Sequence, residues 1–486
     1  MFENLLGQKT ADLLIHDIKA GVLSPAMLFT GPEISGKGTA ALELARIISC
    51  EEEGEKRALW NCKCSACARH RFLIHADLLC MGPKDFFQDI SASGSALKNE
   101  INADCGIGNT PEGILFIRSV RKLLLRFNPV LWEDDPKTGK ISSLVNSLED
   151  DLDEFHSVKD KSLWQKLADG ILKNANKLES EAISENIPVA QLRNAAYWGR
   201  LAPSGRGKVL VIENADRMQE EGKNSLLKLL EEPPGYLYII LTTSRQGSML
   251  PTVLSRLRQY RFYSRDGSIE AEVIRRVFRY REYIIPEQTD PSSPSVSLGR
   301  GSLPEPAAEQ GHLQVARRGS PPGDENPAGN TISSYLESFL PVSGSKLKSL
   351  AAFFAASVSY KAALLSKKNT LDIPNAVVLL GKSSAPLAEA AGYGRPLSKS
   401  SAVIGLIMEQ TGGFEIRALF SRFLMFLYEQ ASQACKNSAV PVTTAYNDMW
   451  IRNISWADSS VKVYKLRPLP VLEKLFSALS REMTEL

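Results

Sequence analysis

Residues 208–262 read KVLVIENADRMQEEGKNSLLKLLEEPPGYLYIILTTSRQGSMLPTVLSRLRQYRF. Two apolar runs, Lys208 to Ile212 and Tyr236 to Thr243, flank a segment with helical spacing that Pro233 and Pro234 stop. A run that is apolar at nearly every residue, not at every second one, fits a strand buried on both faces. Proline ends the helix because it lacks an N–H and crowds the preceding turn. Strand, helix and strand in this order predict a parallel α/β sheet.

Toward the N-terminus, AMLFT at residues 26–30 is another short apolar run. From Gly36, GKGTAALELARIIS carries an apolar stripe of Ala40, Leu42, Leu44, Ala45 and Ile48 at helical spacing. The connection GPEISGKGT, residues 31–39, fits a phosphate loop between a strand and a helix. Its glycines let backbone N–H groups curl around phosphate oxygens, and the helix N-terminus adds a favourable partial charge. Lys37 is placed to reach the outer phosphates. The hydroxyl that helps hold Mg²⁺ is expected directly after this lysine, but Gly38 stands there and Thr39 comes one later.

The candidate nucleotide-binding residues are therefore Gly31, Gly36, Lys37, Gly38 and Thr39, with ATP or ADP and Mg²⁺ as the ligand class. Glu213, at the end of the 208–212 run, is the acidic partner. Asn214 follows it and cannot accept a proton as a general base, so weak or absent hydrolysis is expected. Asp216 has no assigned role. The order GKGT also resembles nucleoside-monophosphate kinases, so the loop alone does not choose a family.

Cys50, Cys62, Cys64 and Cys67 crowd into 18 residues with the spacing C-x₁₁-C-x-C-x₂-C. Four thiolates suit a closed tetrahedral Zn²⁺ site that folds a loop lacking its own core. Such a site is structural, not catalytic. His70 or His75 replacing one cysteine is left open.

The chain has 486 residues, enough for two to four domains. Charged residues make up 23% and the net charge is only +3, so any nucleic-acid contact must come from local patches. No apolar run is long enough to span a membrane, and MFENLLGQKTADLL lacks the pattern of a secretory signal. A cytoplasmic location is expected, and it favours metal over disulfides for the clustered cysteines.

These motifs, in this order, resemble the clamp-loader ATPases of bacterial DNA polymerase III. The resemblance rests on FENLLGQ, FTGPEISGKGT, the cysteine module and HADLL. It continues in IPVAQLRNAAYWGRLAPSGRGKVLVIENAD, NSLLKLLEEPPG and LPTVLSR. It covers residues 1–83 and 186–262 strongly, and the C-terminal part by position only. It implies an AAA+ phosphate-loop domain at 1–262, with a zinc module at 50–70 and an insertion at 84–185. A helical lid follows at 263–365, interrupted by a Pro/Ser/Gly-rich segment at 285–330 that is expected to be disordered. An all-α collar at 366–486 completes the chain.

The resemblance also implies a function in DNA replication. Clamp loaders are rings that open the β sliding clamp and place it on primed DNA. The degraded Glu213–Asn214 pair, the displaced hydroxyl and the lack of a long extension resemble the δ′ (delta prime) kind. That kind is a stator working with γ/τ (gamma/tau) and δ subunits in the polymerase III holoenzyme. By resemblance, Arg256 in LSRL is an arginine finger acting on a neighbour's ATP, its fixed charge suited to a γ-phosphate. The family has cysteine where Leu257 stands here. A γ/τ-like ATP-hydrolysing motor is the alternative.

Two basic clusters remain. Arg118, Arg121, Lys122 and Arg126 share a predicted helix, read as a solvated face in preference to a DNA contact. Arg275, Arg276, Arg279 and Arg281 form the second.

Overall fold

The computed structural model describes residues 1–54, 57–83, 85–98, 106–184, 186–280, 331–365, 393, 395–414, 416–436, 444–462, 464 and 466–485. The 285–330 segment, with Arg281, lies outside the described residues.

Five parallel strands form one sheet: β1 (Ala26–Thr30), β2 (Leu78–Met81), β3 (Lys208–Ile212), β4 (Leu237–Thr243) and β5 (Arg258–Arg261). Their order is β2-β3-β4-β1-β5. Leu28 pairs with Leu241 on one side and Gln259 on the other. β1 and β3 are buried along their whole length because both faces are covered. Alternation along each strand sorts the side chains. Leu28, Leu210, Ile212, Ile239 and Leu241 enter one core, while Met27, Phe29, Val209, Val211 and Ile240 enter the other.

The second core is closed by α1 (Thr10–Lys19) and α2 (Lys37–Ser49) through Leu14, Ala40, Ala41 and Leu44. The cysteine segment contains α3 (Ser65–Arg71). The first core is closed by six helices: α4 (Phe87–Lys98), α5 (Pro111–Leu124), α6 (Thr138–Ser157), α7 (Lys161–Ala182), α8 (Val189–Arg200) and α9 (Glu220–Glu231). Phe86, Phe116, Val120, Leu148, Phe155 and Trp164 from residues 84–185 share this core with the sheet. The polar-looking SASGSALK is helical within α4, where Ala92, Ala96 and Leu97 are buried. Thr110 caps α5 by accepting from the Gly113 N–H at 3.0 Å, and Pro111 starts the helix at a position that needs no donor.

A short helix, α10 (Pro251–Leu254), precedes β5. β5 reads RQYR and buries only Tyr260, whose hydroxyl donates to Asp17 at 2.6 Å. After the sheet, α11 (Gly267–Arg276) and α12 (Ile332–Glu337) form a small cluster with Ala92 of α4. The remaining described chain is helical: α13 (Gly344–Leu365), α14 (Ser400–Gln410), α15 (Arg417–Lys436), α16 (Thr444–Lys462) and α17 (Pro468–Glu485). Phe353, Phe354, Phe423, Trp450 and Phe476 build its separate core. Among the described residues, no helix is long and apolar enough to cross a membrane.

Candidate functional site

The phosphate-type loop leaves β1 at Gly31 and enters α2 at Gly36, with φ of 144° and 93°. A Cβ at Gly31 would lie 2.4 Å from the Phe262 carbonyl oxygen, and one at Gly36 would lie 2.7 Å from Arg265 Nη2. Both positions therefore require glycine on conformation and on space. Lys37 is nearly buried and folds back on the loop, donating to the carbonyl oxygens of Gly31 (2.7 Å) and Pro32. Burial drives its pKa down to about 8, against the opposing carboxylates of Glu33, Glu213 and Asp216. Thr39 is exposed on the pocket wall.

The loop opens on a cavity of about 440 Å³. Its walls include Lys122 of α5 and Arg126 just past it, Arg217 and Arg245 from the strand ends, and Arg265, Val273 and Phe278 beyond the sheet. Sequence reasoning missed Arg265. It donates to the carbonyl oxygens of Leu6 (2.9 Å) and Ile34 (2.7 Å), pinning the N-terminal segment to the loop.

Glu213 does reach the loop. Its Oε1 lies where a side chain at residue 38 would begin, 2.3 Å from the Cβ position of Gly38. Its Oε2 accepts from Arg126 Nη2. Asn214 adopts a left-handed conformation, φ 51°, and its side-chain amide donates to the Pro83 carbonyl oxygen at 2.7 Å. Asp216 accepts from the Thr243 hydroxyl at 2.7 Å. A divalent ion in a phosphate-loop site normally takes a hydroxyl after the lysine and a carboxylate from the adjacent strand. Here the first is missing, and the second fills its space with a guanidinium attached. The residues present do not suit Mg²⁺.

Arg256 follows α10 and stands outside this cavity's lining. Its Nε donates to Glu231 Oε1 at 2.9 Å and its Nη1 to the Thr252 carbonyl oxygen at 2.5 Å. The side chain stays 31% exposed, so the guanidinium is oriented but open to solvent. Leu257 is buried in the first core.

The four thiols of Cys50, Cys62, Cys64 and Cys67 all lie within 4.8 Å of one another. Cys50 and Cys62 sulfurs are 3.8 Å apart, against the roughly 3.8 Å that a tetrahedron with 2.3 Å Zn–S bonds requires. These residues fit a closed four-thiolate centre and can hold a metal ion such as zinc. Burial pushes the Cys62 and Cys67 thiols up, with the Arg46 guanidinium opposing it at Cys67. Arg46 Nη1 reaches the Cys67 sulfur at 3.2 Å. Cys64 is also penalised by burial, yet backbone hydrogen bonding near Cys67 and Glu51 brings it down to about 7. Neither histidine joins the cluster. The rings of His70 and His75 stack on each other at 4.2 Å, and His75 Nδ1 accepts from the Asp77 N–H.

The first arginine cluster is not a solvated face. Arg118 donates to the carbonyl oxygens of His70 (3.3 Å) and Arg71. Arg121 donates to that of Phe72 at 3.3 Å and sits beside Glu149 and Asp153. These side chains are committed to internal partners. In the second cluster, Arg275 pairs with Glu272 at 2.7 Å on its own helix.

A protein-family model described as "DNA polymerase III, delta subunit" matches residues 7–123 and 144–266. The chain is 35% identical over 72 residues to the DNA polymerase III subunit gamma/tau of Mycobacterium tuberculosis, covering 15% of this chain and 12% of that one. It is 36% identical over 83 residues to the DNA polymerase III subunit delta' of Pseudomonas aeruginosa, covering 17% of this chain and 25% of that one. The chain thus spans a quarter or less of these relatives' length. A crystal structure of a DNA polymerase III, gamma subunit-related protein from Thermotoga maritima aligns with 14% identity and a TM-score of 0.26, covering 62% of this chain and 82% of that one. With the family match running from the approach to α1 through all five strands, the chain belongs to the DNA polymerase III, delta subunit family.

Proposed function

We propose that this chain is the δ′ stator of a DNA polymerase III clamp loader, acting in replication in the cytoplasm. In this reading it joins γ/τ and δ subunits, and the complex opens the β sliding clamp and loads it on primed-template DNA. Residues 1–262 act as an AAA+ domain, the helices of 263–365 as a lid and those of 366–486 as a collar. The loop of Gly31, Gly36, Lys37, Gly38 and Thr39 is a nucleotide cradle, and the four cysteines hold a structural Zn²⁺.

The observation that carries the stator reading is the state of the acidic pair. Glu213 is engaged by Arg126 and packed against Gly38, while Asn214 is tied to the Pro83 carbonyl oxygen. No carboxylate is left at Asn214 to polarise an attacking water. Arg256 supports the other half of the role, since Glu231 holds it at the surface where an adjoining subunit's γ-phosphate can meet it. Its transition-state charge stabilisation is then given to a neighbour.

Reconstitution with γ/τ, δ and clamp tests this. Arg256→Ala is expected to leave assembly intact and lower turnover at the one site it serves by about 10³-fold, read as a drop in the complex's clamp- and DNA-stimulated ATPase. Unchanged turnover removes the finger role. Brisk ATPase from the isolated chain, abolished by Lys37→Ala, makes the γ/τ-like motor the better reading.

A further inference from the structure

We propose that this site takes a nucleoside di- or triphosphate without a divalent cation, the Arg126 guanidinium standing in for the metal's charge. The inference rests on the nucleotide-cradle reading above and changes what that cradle binds.

Three observations converge on it. The first is steric: Glu213 Oε1 occupies the start of residue 38's side-chain space, so a hydroxyl-bearing side chain there would require this carboxylate to leave its place beside Arg126. The second is electrostatic: Glu213 Oε2 is held by Arg126, so a permanent cation already pairs with the carboxylate that a phosphate-loop site offers its metal. Mg²⁺ demands near-octahedral oxygen ligation and sheds water reluctantly, so a carboxylate shared with a guanidinium and lacking its hydroxyl partner is a poor host. The third is mechanical: Arg126 is built in. Its guanidinium lies 5.4 Å from the Phe86 ring centroid, and its carbonyl oxygen accepts from Trp132 Nε1 at 2.8 Å.

The rest of the cavity remains fit for phosphate. Its volume, about 440 Å³, lies within the range of small-molecule sites. Lys37 crowds its charge onto backbone carbonyl oxygens that a phosphate would relieve. Lys122 and Arg265 supply further positive charge around the loop.

The test is calorimetric titration of the full chain with ADP, and separately with ATP, in excess MgCl₂ and in Mg²⁺-free buffer without chelator. The two affinities are expected to agree to well within about tenfold. Binding about tenfold or more tighter in MgCl₂ overturns the inference while leaving the cradle reading standing. Binding in neither condition overturns both. The triple variant Gly38→Ser/Glu213→Asp/Arg126→Met rebuilds a hydroxyl-plus-aspartate pair and is expected to bind about tenfold or more tighter with MgCl₂. Arg126→Lys keeps the cation and is expected to stay insensitive to the omission of Mg²⁺; a Mg²⁺ requirement in it counts against the guanidinium's role.

Discussion

The phosphate-type loop and the cysteine cluster are both ion sites by composition, and they are finished in opposite ways. At the cysteines, four sulfurs converge within 4.8 Å, and burial alone would keep two of the thiols protonated. Such a site can hold an external metal ion such as zinc; of the four sulfurs, the Arg46 guanidinium reaches that of Cys67. At the loop, the carboxylate that would call for a cation has one from within the chain, Arg126. The difference teaches that a ligand set does not specify a metal unless its charge is left for the metal to neutralise.

The largest effect that would break this comparison is at the cysteines. Purified protein is expected to carry about one Zn²⁺ per chain, and structural zinc of this kind is worth about 10–16 kcal/mol to the fold of a small module. Cys67→Ser or strong chelation should therefore unfold residues 50–70, followed by proteolysis of that segment. Full protection without metal under reducing conditions would make the cluster a self-sufficient thiol core.

A smaller effect is expected at the loop. Glu213→Gln leaves the Arg126 guanidinium buried without its carboxylate, a loss of about 3–5 kcal/mol in urea unfolding. Omitting Mg²⁺ is expected to leave the wild-type unfolding midpoint of this region unchanged. A loss below about 1 kcal/mol would mean that the pair is not the site's own ion balance.

The smallest effect sharpens the same point through protons. Burial lowers the folded-state pKa of Lys37 to about 8 from 10.5. Between those values the unfolded chain holds more protons than the folded one, so this residue's contribution to stability rises with pH across that window. A phosphate bound to the loop favours the charged lysine and draws its pKa back up. ADP binding at pH 8 is then expected to take up about half a proton, measured by titration calorimetry in buffers of different ionisation enthalpy. Lys37→Met should abolish the uptake, and an unchanged uptake would place the titrating group elsewhere.

The parts of the molecule legible in the sequence are those governed by local pattern. β1, β3 and β4 announce themselves because both their faces are buried, so almost every residue is apolar. The glycines of the loop and the clustered cysteines are recognisable because the chemistry of a phosphate loop and of a thiolate site demands those residue types at short spacing. β5 was hidden because an edge strand with one inward side chain reads as the charged text RQYR. α4 was hidden because small residues, not large apolar ones, make its buried face. The Arg126–Glu213 pair was beyond reach, since its partners are 87 residues apart and only the tertiary fold brings them together. For the same reason, Arg118 and Arg121 read as a solvated face when their partners lie on other segments.

Those two arginines give α5 a further meaning. Near its middle, Arg118 and Arg121 clasp the backbone of residues 70–72, the stretch that leaves the cysteine module. Just past its end, Arg126 grips the tip of β3 through Glu213. Arg118 and Arg126 are about two helical turns apart, roughly 12 Å of stiff rod. The helix is a strut braced between two abutments, and whatever fixes the alignment of the cysteine module also fixes how far Arg126 leans into the cavity beside the loop. Loosening the cysteine abutment, as by Cys67→Ser, should be felt at the Arg126–Glu213 pair.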